Sequence, residues 1–258
     1  MKKIRMFIVL PALLCVAAVA VPASASTAEE LLQQIASYEF GQSRVPLIVA
    51  ENWVRMNLDS EQNRRGIAFA LAGLLEGNAT MDGKQFVCRQ LAIIGAEENL
   101  PAIAPLLLDA KTADMARFAI QRMPGARVDA ALLDALGKAD AAAVPGMIGS
   151  LADRRAASAV KPLSTLATGE DAVVANCAIA ALGAIGGPDA AKALGKLKGN
   201  VDPAHARAVS DAQLLVAEDL LATGDKDAAI KIYNALSSAD EEAPVQTAAK
   251  LGLEAARM

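Results

Sequence analysis

Residues 171–197 read DAVVANCAIAALGAIGGPDAAKALGKL, and this stretch decides the fold. Val174, Cys177, Ala178, Ala181, Leu182 and Ile185 recur at i, i+3, i+4, i+7, i+8 and i+11, which places them on one face of a helix. Gly186 ends that helix because glycine accepts the left-handed conformation that stops it. Pro188 then falls at an early position of the next helix, where a missing N–H is tolerated. Alanine and glycine in place of bulkier residues let neighbouring helices approach closely. Such a pair cannot bury its apolar face alone, so it must stack on another pair.

The same plan extends in both directions. FVCRQLAIIG followed by LPAIAPLLLDA, then MARFAIQRMPGARVDAALLDAL, VPGMIGSLADRRAASAVKPLSTLA and LLVAEDLLATGDKDAAIKIYNAL each read as helix, short turn, helix. Gly95 and Gly125 lie 30 residues apart, Gly125 and Gly186 61 apart with the LADRR turn between them, and Gly186 and Gly224 38 apart. A period of about 30 to 38 residues holds one helix pair. Pro101, Pro145 and Pro188 follow turns, and no segment sustains the alternation of a strand. The expectation is an all-α solenoid of antiparallel helix pairs. Residues 26–80, with the helices TAEELLQQIASYEF, VPLIVAENWVRMNL and SEQNRRGIAFALAGLLEGN, form its N-terminal part; residues 81–200 carry the main repeats and 201–258 the last pairs.

At these residues the chain resembles the HEAT and HEAT-like repeat family, including the short repeats of phycobiliprotein lyase-type proteins. Asp171, Val174, Ala178, Leu182, Gly183 and Gly186 fall on that repeat's pattern, while Ala175 stands where an arginine is usual. ATGDKDAAIKIYNAL is similar to the second half of a tetratricopeptide unit, with Gly224, Ala229 and Tyr233 near the expected places. The order EFGQSR, KQFVCRQLAIIG, MARFAIQRMPG also looks like secreted bacterial HEAT-repeat proteins. The resemblance implies a right-handed superhelix, and it implies little about function because repeat motifs encode packing.

Composition agrees with close-packed helices: of 258 residues 54% are hydrophobic and only 3% aromatic. MKKIRM followed by FIVLPALLCVAAVAV and PASAS has the three parts of a secretory signal, with cleavage expected between Ala25 and Ser26. The expected location is therefore extracytoplasmic, periplasmic or secreted, with no membrane contact after signal removal. Without Lys2, Lys3 and Arg5 the chain carries 22 basic against 29 acidic residues, a net charge of −7 that disfavours nucleic acid as a partner.

Catalytic patterns are sparse. The single histidine, His205, sits with Ser210 and Asp211 on one helix, which cannot arrange attack, base and orienting group around an oxyanion pocket. It reads as a solvated helix residue. Cys88 and Cys177 lie about three repeats, roughly 30 Å, apart, too far for a disulfide, and read as buried small hydrophobes. The pairs Glu97-Glu98, Glu218-Asp219 and Glu241-Glu242 lack a calcium-loop context and read as solvated helix caps. GAIGG has neither the preceding strand nor the lysine of a phosphate loop. No catalytic residue, metal site or cofactor is expected.

One recurrent feature stands apart. Arg64 and Arg65, Lys84 and Arg89, and Arg117 and Arg122 recur on successive second helices, with Gln85 and Gln121 between them. The HEAT resemblance implies that second helices line a concave face, so Arg65, Lys84, Gln85, Arg89, Arg117, Gln121 and Arg122 are candidates for a stripe that binds a protein or peptide. The plainer reading is local pairing, Glu61 with Arg65 and Asp114 with Arg117. The function expected is a non-catalytic scaffold. The alternatives are an accessory lyase, which would need a reactive Cys88 or Cys177, and a self-associating envelope component. The last rests on the C-terminal helix, with Val245, Ala248, Ala249 and Leu253 on one face.

Overall fold

The computed structural model describes residues 27–238 and 240–257. The expected signal and its cleavage site lie outside them. The described residues hold fourteen α-helices joined by turns and short 3-10 segments, with no strand. The all-α expectation holds.

Three helices come first: α1 (Ala28–Ala36), α2 (Val45–Met56) and α3 (Glu61–Gly73). Thr27 and Ser60 cap α1 and α3, their hydroxyls accepting from the N–H groups of Glu30 and Asn63. All three contact α4 (Met81–Ile94). Then come α5 (Leu100–Ile103), α6 (Ala113–Ile120), α7 (Ala126–Leu136), α8 (Val144–Asp153) and α9 (Val160–Leu166). The chain closes with α10 (Ala172–Ile185), α11 (Gly187–Leu197), α12 (Ala206–Ala222), α13 (Lys226–Leu236) and α14 (Ala243–Arg257). Packing is between neighbours: α4 touches α6, α6 touches α8, α8 touches α10, α10 touches α12 and α12 touches α14. Among the intervening helices α9 touches α11, and α13 packs on both α12 and α14.

The opening stretch folds as α10 and α11. Asp171 caps α10, one carboxylate oxygen accepting from Val173 N–H at 2.9 Å and Val174 N–H at 3.1 Å. The helix is buried more widely than a single face: Ala175 and Ile179 join Ala178, Ala181, Leu182 and Ile185 in the core, while Val174 and Cys177 are half-buried. It touches α8, α9, α11 and α12, so apolar contact is needed on several sides. Each fully buried leucine, such as Leu182, contributes about 1.5 to 3 kcal/mol. Close approach depends on glycine, since a Cβ on Gly183 would come within 3.0 Å of the Cα and Cβ of Ala212.

The turn glycines serve two purposes. Gly125, Gly186 and Gly224 have φ of 107°, 70° and 94° and supply left-handed backbone. Gly95 does not: its φ is −70°, and it is small because a Cβ there would collide with the backbone carbonyl of Leu91. In the LADRR turn the left-handed position falls to Arg155, at φ 50°.

Charged residues lock these turns. The Arg154 side chain, 11% exposed, pairs with Asp129 at 2.5 Å and donates to the carbonyls of Gln121 (3.0 Å), Met123 (2.6 Å) and Gly125 (2.9 Å). The guanidinium thus satisfies three carbonyls of the turn between α6 and α7. Glu97, by contrast, accepts from Arg127 N–H at 2.8 Å and so serves the start of α7. Asp219 receives Arg155 and also accepts from Gly187 N–H at 2.9 Å. The hydrogen bond from Arg155 is the main reason its carboxyl titrates below the usual range. Glu241 is largely buried between Lys198 and Ser210. The reading of these acids as solvated caps is therefore corrected for Glu97, Asp219 and Glu241, which are bonded between elements. His205 is corrected too: it is buried, with Nδ1 2.8 Å from Asn176 Oδ1 on α10. Its one polar contact lies on a helix distant in sequence, invisible to local periodicity.

Candidate functional site

The stripe divides into two groups. Arg65, on α3, bonds Glu61 at 3.0 Å and lies 3.9 Å from Glu98. Arg117, on α6, bonds Asp114 at 3.0 Å and donates from its other terminal nitrogen to Ser150 on α8 at 3.2 Å. Its Nε is buried without a partner, and a Cβ on Gly146 would meet that atom at 2.7 Å. Gln121 Oε1 accepts from the same Ser150 hydroxyl at 3.4 Å, and its backbone carbonyl is held by Arg154. Arg117 and Gln121 thus tie α6 to α8. Both local pairs expected from sequence, Glu61 with Arg65 and Asp114 with Arg117, are present.

Gln85 and Arg89 are placed differently. They are exposed on α4 one turn apart, and Ile93, 60% exposed, continues the ridge by a further turn. Neither Gln85 nor Arg89 has an ion pair or side-chain hydrogen bond among the described residues. Both line a cleft of about 310 Å³ between α4 and α6, whose far wall is Lys111, Asp114, Met115 and Phe118. Phe118 is 56% exposed, an aromatic face left open to solvent. Cys88 forms the floor; it is fully buried, and burial pushes its thiol up to about 12 against a smaller lowering by Lys84. Lys84 is half-buried beside it on α4, and Arg122 is exposed in the turn after α6.

A second cleft, of about 300 Å³, opens on the other side of the same ridge, between α2 and α4. Val54, Leu58 and Ile93 make it apolar, and Glu51 and Arg55 stand on α2 beside them. Gln90 lines it as well. That side chain is 5% exposed and has no hydrogen-bond partner among the described residues. Its amide is not among the buried polar atoms left without a partner, so it meets the water of the cleft, and a peptide group laid there can take that water's place. Sequence reading passed over Gln90 because its neighbours Gln85 and Arg89 carry the obvious polar signal. The only cue is a glutamine in phase with Phe86 and Ile94, on the side of α4 that packs.

No protein-family model matches the chain, and no curated protein matches it. The site therefore rests on its own chemistry. Among the described residues no three His, Cys, Asp or Glu side chains are grouped to hold a metal ion, and no helix is long and apolar enough to cross a membrane. What the two clefts offer is unpaired cations, an open aromatic face, apolar walls and an amide with no hydrogen bond inside the described residues. These are groups that bind and orient a ligand.

Proposed function

We propose that this chain is an exported, non-catalytic HEAT-like scaffold that binds an extended segment of a protein partner across the α4 ridge. The neighbour-to-neighbour packing from α4 through α14 supports a right-handed superhelical solenoid, and the basic-then-apolar leader supports export. The observation that carries the binding reading is Gln90. Its amide offers one acceptor and two donors inside an apolar cleft, the complement of a peptide unit laid along the groove. Arg89 and Lys111 then meet carboxylates of the segment, and Phe118 takes an apolar side chain.

The accessory-lyase alternative needs a reactive thiol, and the buried, proton-holding Cys88 weighs against that role.

Selection of random displayed peptides on the immobilised chain tests the reading without a known partner. Peptides are expected that lose affinity at least about fivefold against Gln90→Leu, the worth of one buried hydrogen bond, and lose it again against Arg89→Glu. Gln90→Leu should keep the native fold by circular dichroism, since leucine is close to glutamine in volume and the amide makes no hydrogen bond among the described residues. Failure to select any peptide, or selected peptides indifferent to both substitutions, overturns the proposal.

A further inference from the structure

A third cleft, of about 420 Å³, lies between α9 and α11, away from the α4 ridge. Lys161 stands on its α9 wall, and Lys192 and Lys196 stand on its α11 wall. All three are exposed, and none has an ion pair or side-chain hydrogen bond among the described residues; Asp189, the one acid in the cleft, is not within 4 Å of any of them as a salt bridge. The floor is apolar, made by Val160, Ala193 and Leu197. Three cations against one acid line this cleft, on a chain whose net charge is −4. Such a patch repels other cations and draws an anionic partner by long-range steering.

The layout of charge narrows the partner. Lys192 and Lys196 are one helical turn apart, so their side chains start about 5 to 6 Å from each other, and Lys161 faces them from the opposite wall. An occupant of the groove has to present acids to both walls. A helix lying in the groove does: its apolar stripe rests on the floor, and acids on both flanks at i, i+4 spacing meet the lysines, as flanking charges do in paired helices. We propose that the α9–α11 cleft docks an acidic amphipathic helix of a protein partner. This is a second binding surface, and it does not depend on the α4 ridge.

The test uses a fluorescent synthetic peptide of about twenty residues, with leucine on one helical face and glutamate on both flanks. Its counterpart carries lysine at the flanks and the same leucines. Anisotropy titrations with the whole chain are expected to show binding of the glutamate peptide only, weakening as salt rises. Each single reversal, Lys161→Glu, Lys192→Glu or Lys196→Glu, should weaken it about two- to fivefold, and the triple reversal at least about tenfold. Arg89→Glu should leave it unchanged, which separates this surface from the first. The proposal is overturned if the two peptides bind equally, if the triple reversal binds as the native chain does, or if Arg89→Glu alone abolishes binding. It is also overturned if only phosphatidylglycerol vesicles or inorganic pyrophosphate bind. Circular dichroism of the triple variant should match the native chain, because all three lysines are exposed.

Discussion

Replacing Arg154 with alanine removes more than a surface charge. The side chain is 11% exposed and makes four contacts at once, to Asp129 and to the carbonyls of Gln121, Met123 and Gly125. Arg154→Ala leaves the Asp129 carboxylate, 20% exposed, without its cation and opens three carbonyls at the α6–α7 turn. Breaking a buried pair by removing one partner costs about 3 to 5 kcal/mol, and water reaching the turn reduces this toward the lower end. For a chain of this size each kcal/mol moves the midpoint by about 2 to 4 °C, so thermal unfolding followed by circular dichroism should fall by about 6 to 12 °C. The companion Arg154→Met/Asp129→Leu removes both charges and should lose markedly less than Arg154→Ala alone. A drop under about 2 °C for Arg154→Ala, or an equal loss in the double variant, would refute the clamp.

Three further outcomes are expected. Gly183→Val should destabilise the chain by about 1 to 3 kcal/mol in urea titration, because a Cβ there would lie 3.0 Å from the Cα and Cβ of Ala212 on α12 and the two further methyls of valine crowd the same contact; a neutral result would mean the two helices are not held this close. Cys88 should resist iodoacetamide at neutral pH and label only after denaturation, since its thiol is buried and titrates near 12; rapid native labelling would reopen a chemical role for it. Asp219 titrates below its unfolded value, so its contribution to stability is complete above the ordinary carboxylate range and is lost as pH falls through the depressed value. Arg155→Ala should therefore flatten the acid limb of stability against pH, and an unchanged limb would remove the pair from that role.

The helical units were legible because each carries its own period and its own stops. The spacing from Val174 to Ile185 located α10 to within a residue or two, and Gly125, Gly186 and Gly224 marked turns that do need left-handed backbone. What sequence missed depends on contacts between units. The expected face of α10 omitted Ala175 and Ile179, because a helix packed against α8, α9, α11 and α12 is buried more widely than a surface helix. His205 was read as solvated since its partner Asn176 is 29 positions away. Arg154 drew no attention as one of two adjacent arginines, yet it holds three carbonyls. The stripe was legible as residue types and not as roles: Arg117 and Gln121 bond across to α8, whereas Gln85 and Arg89 face open space. That difference changes how the stripe is probed, because Arg117→Ala disturbs the α6–α8 contact while Arg89→Glu does not.

The most direct test of the central claim, that a partner segment docks across α4, is site-specific photo-crosslinking in the producing cell. A benzophenone amino acid at Gln85, in the cleft wall, is compared with one at Lys231, exposed on α13. The account predicts a discrete adduct from position 85 that is absent from position 231 and is lost when Gln90→Leu and Arg89→Glu are added. No adduct at position 85, the same adduct from both positions, or an adduct that survives both substitutions would contradict it.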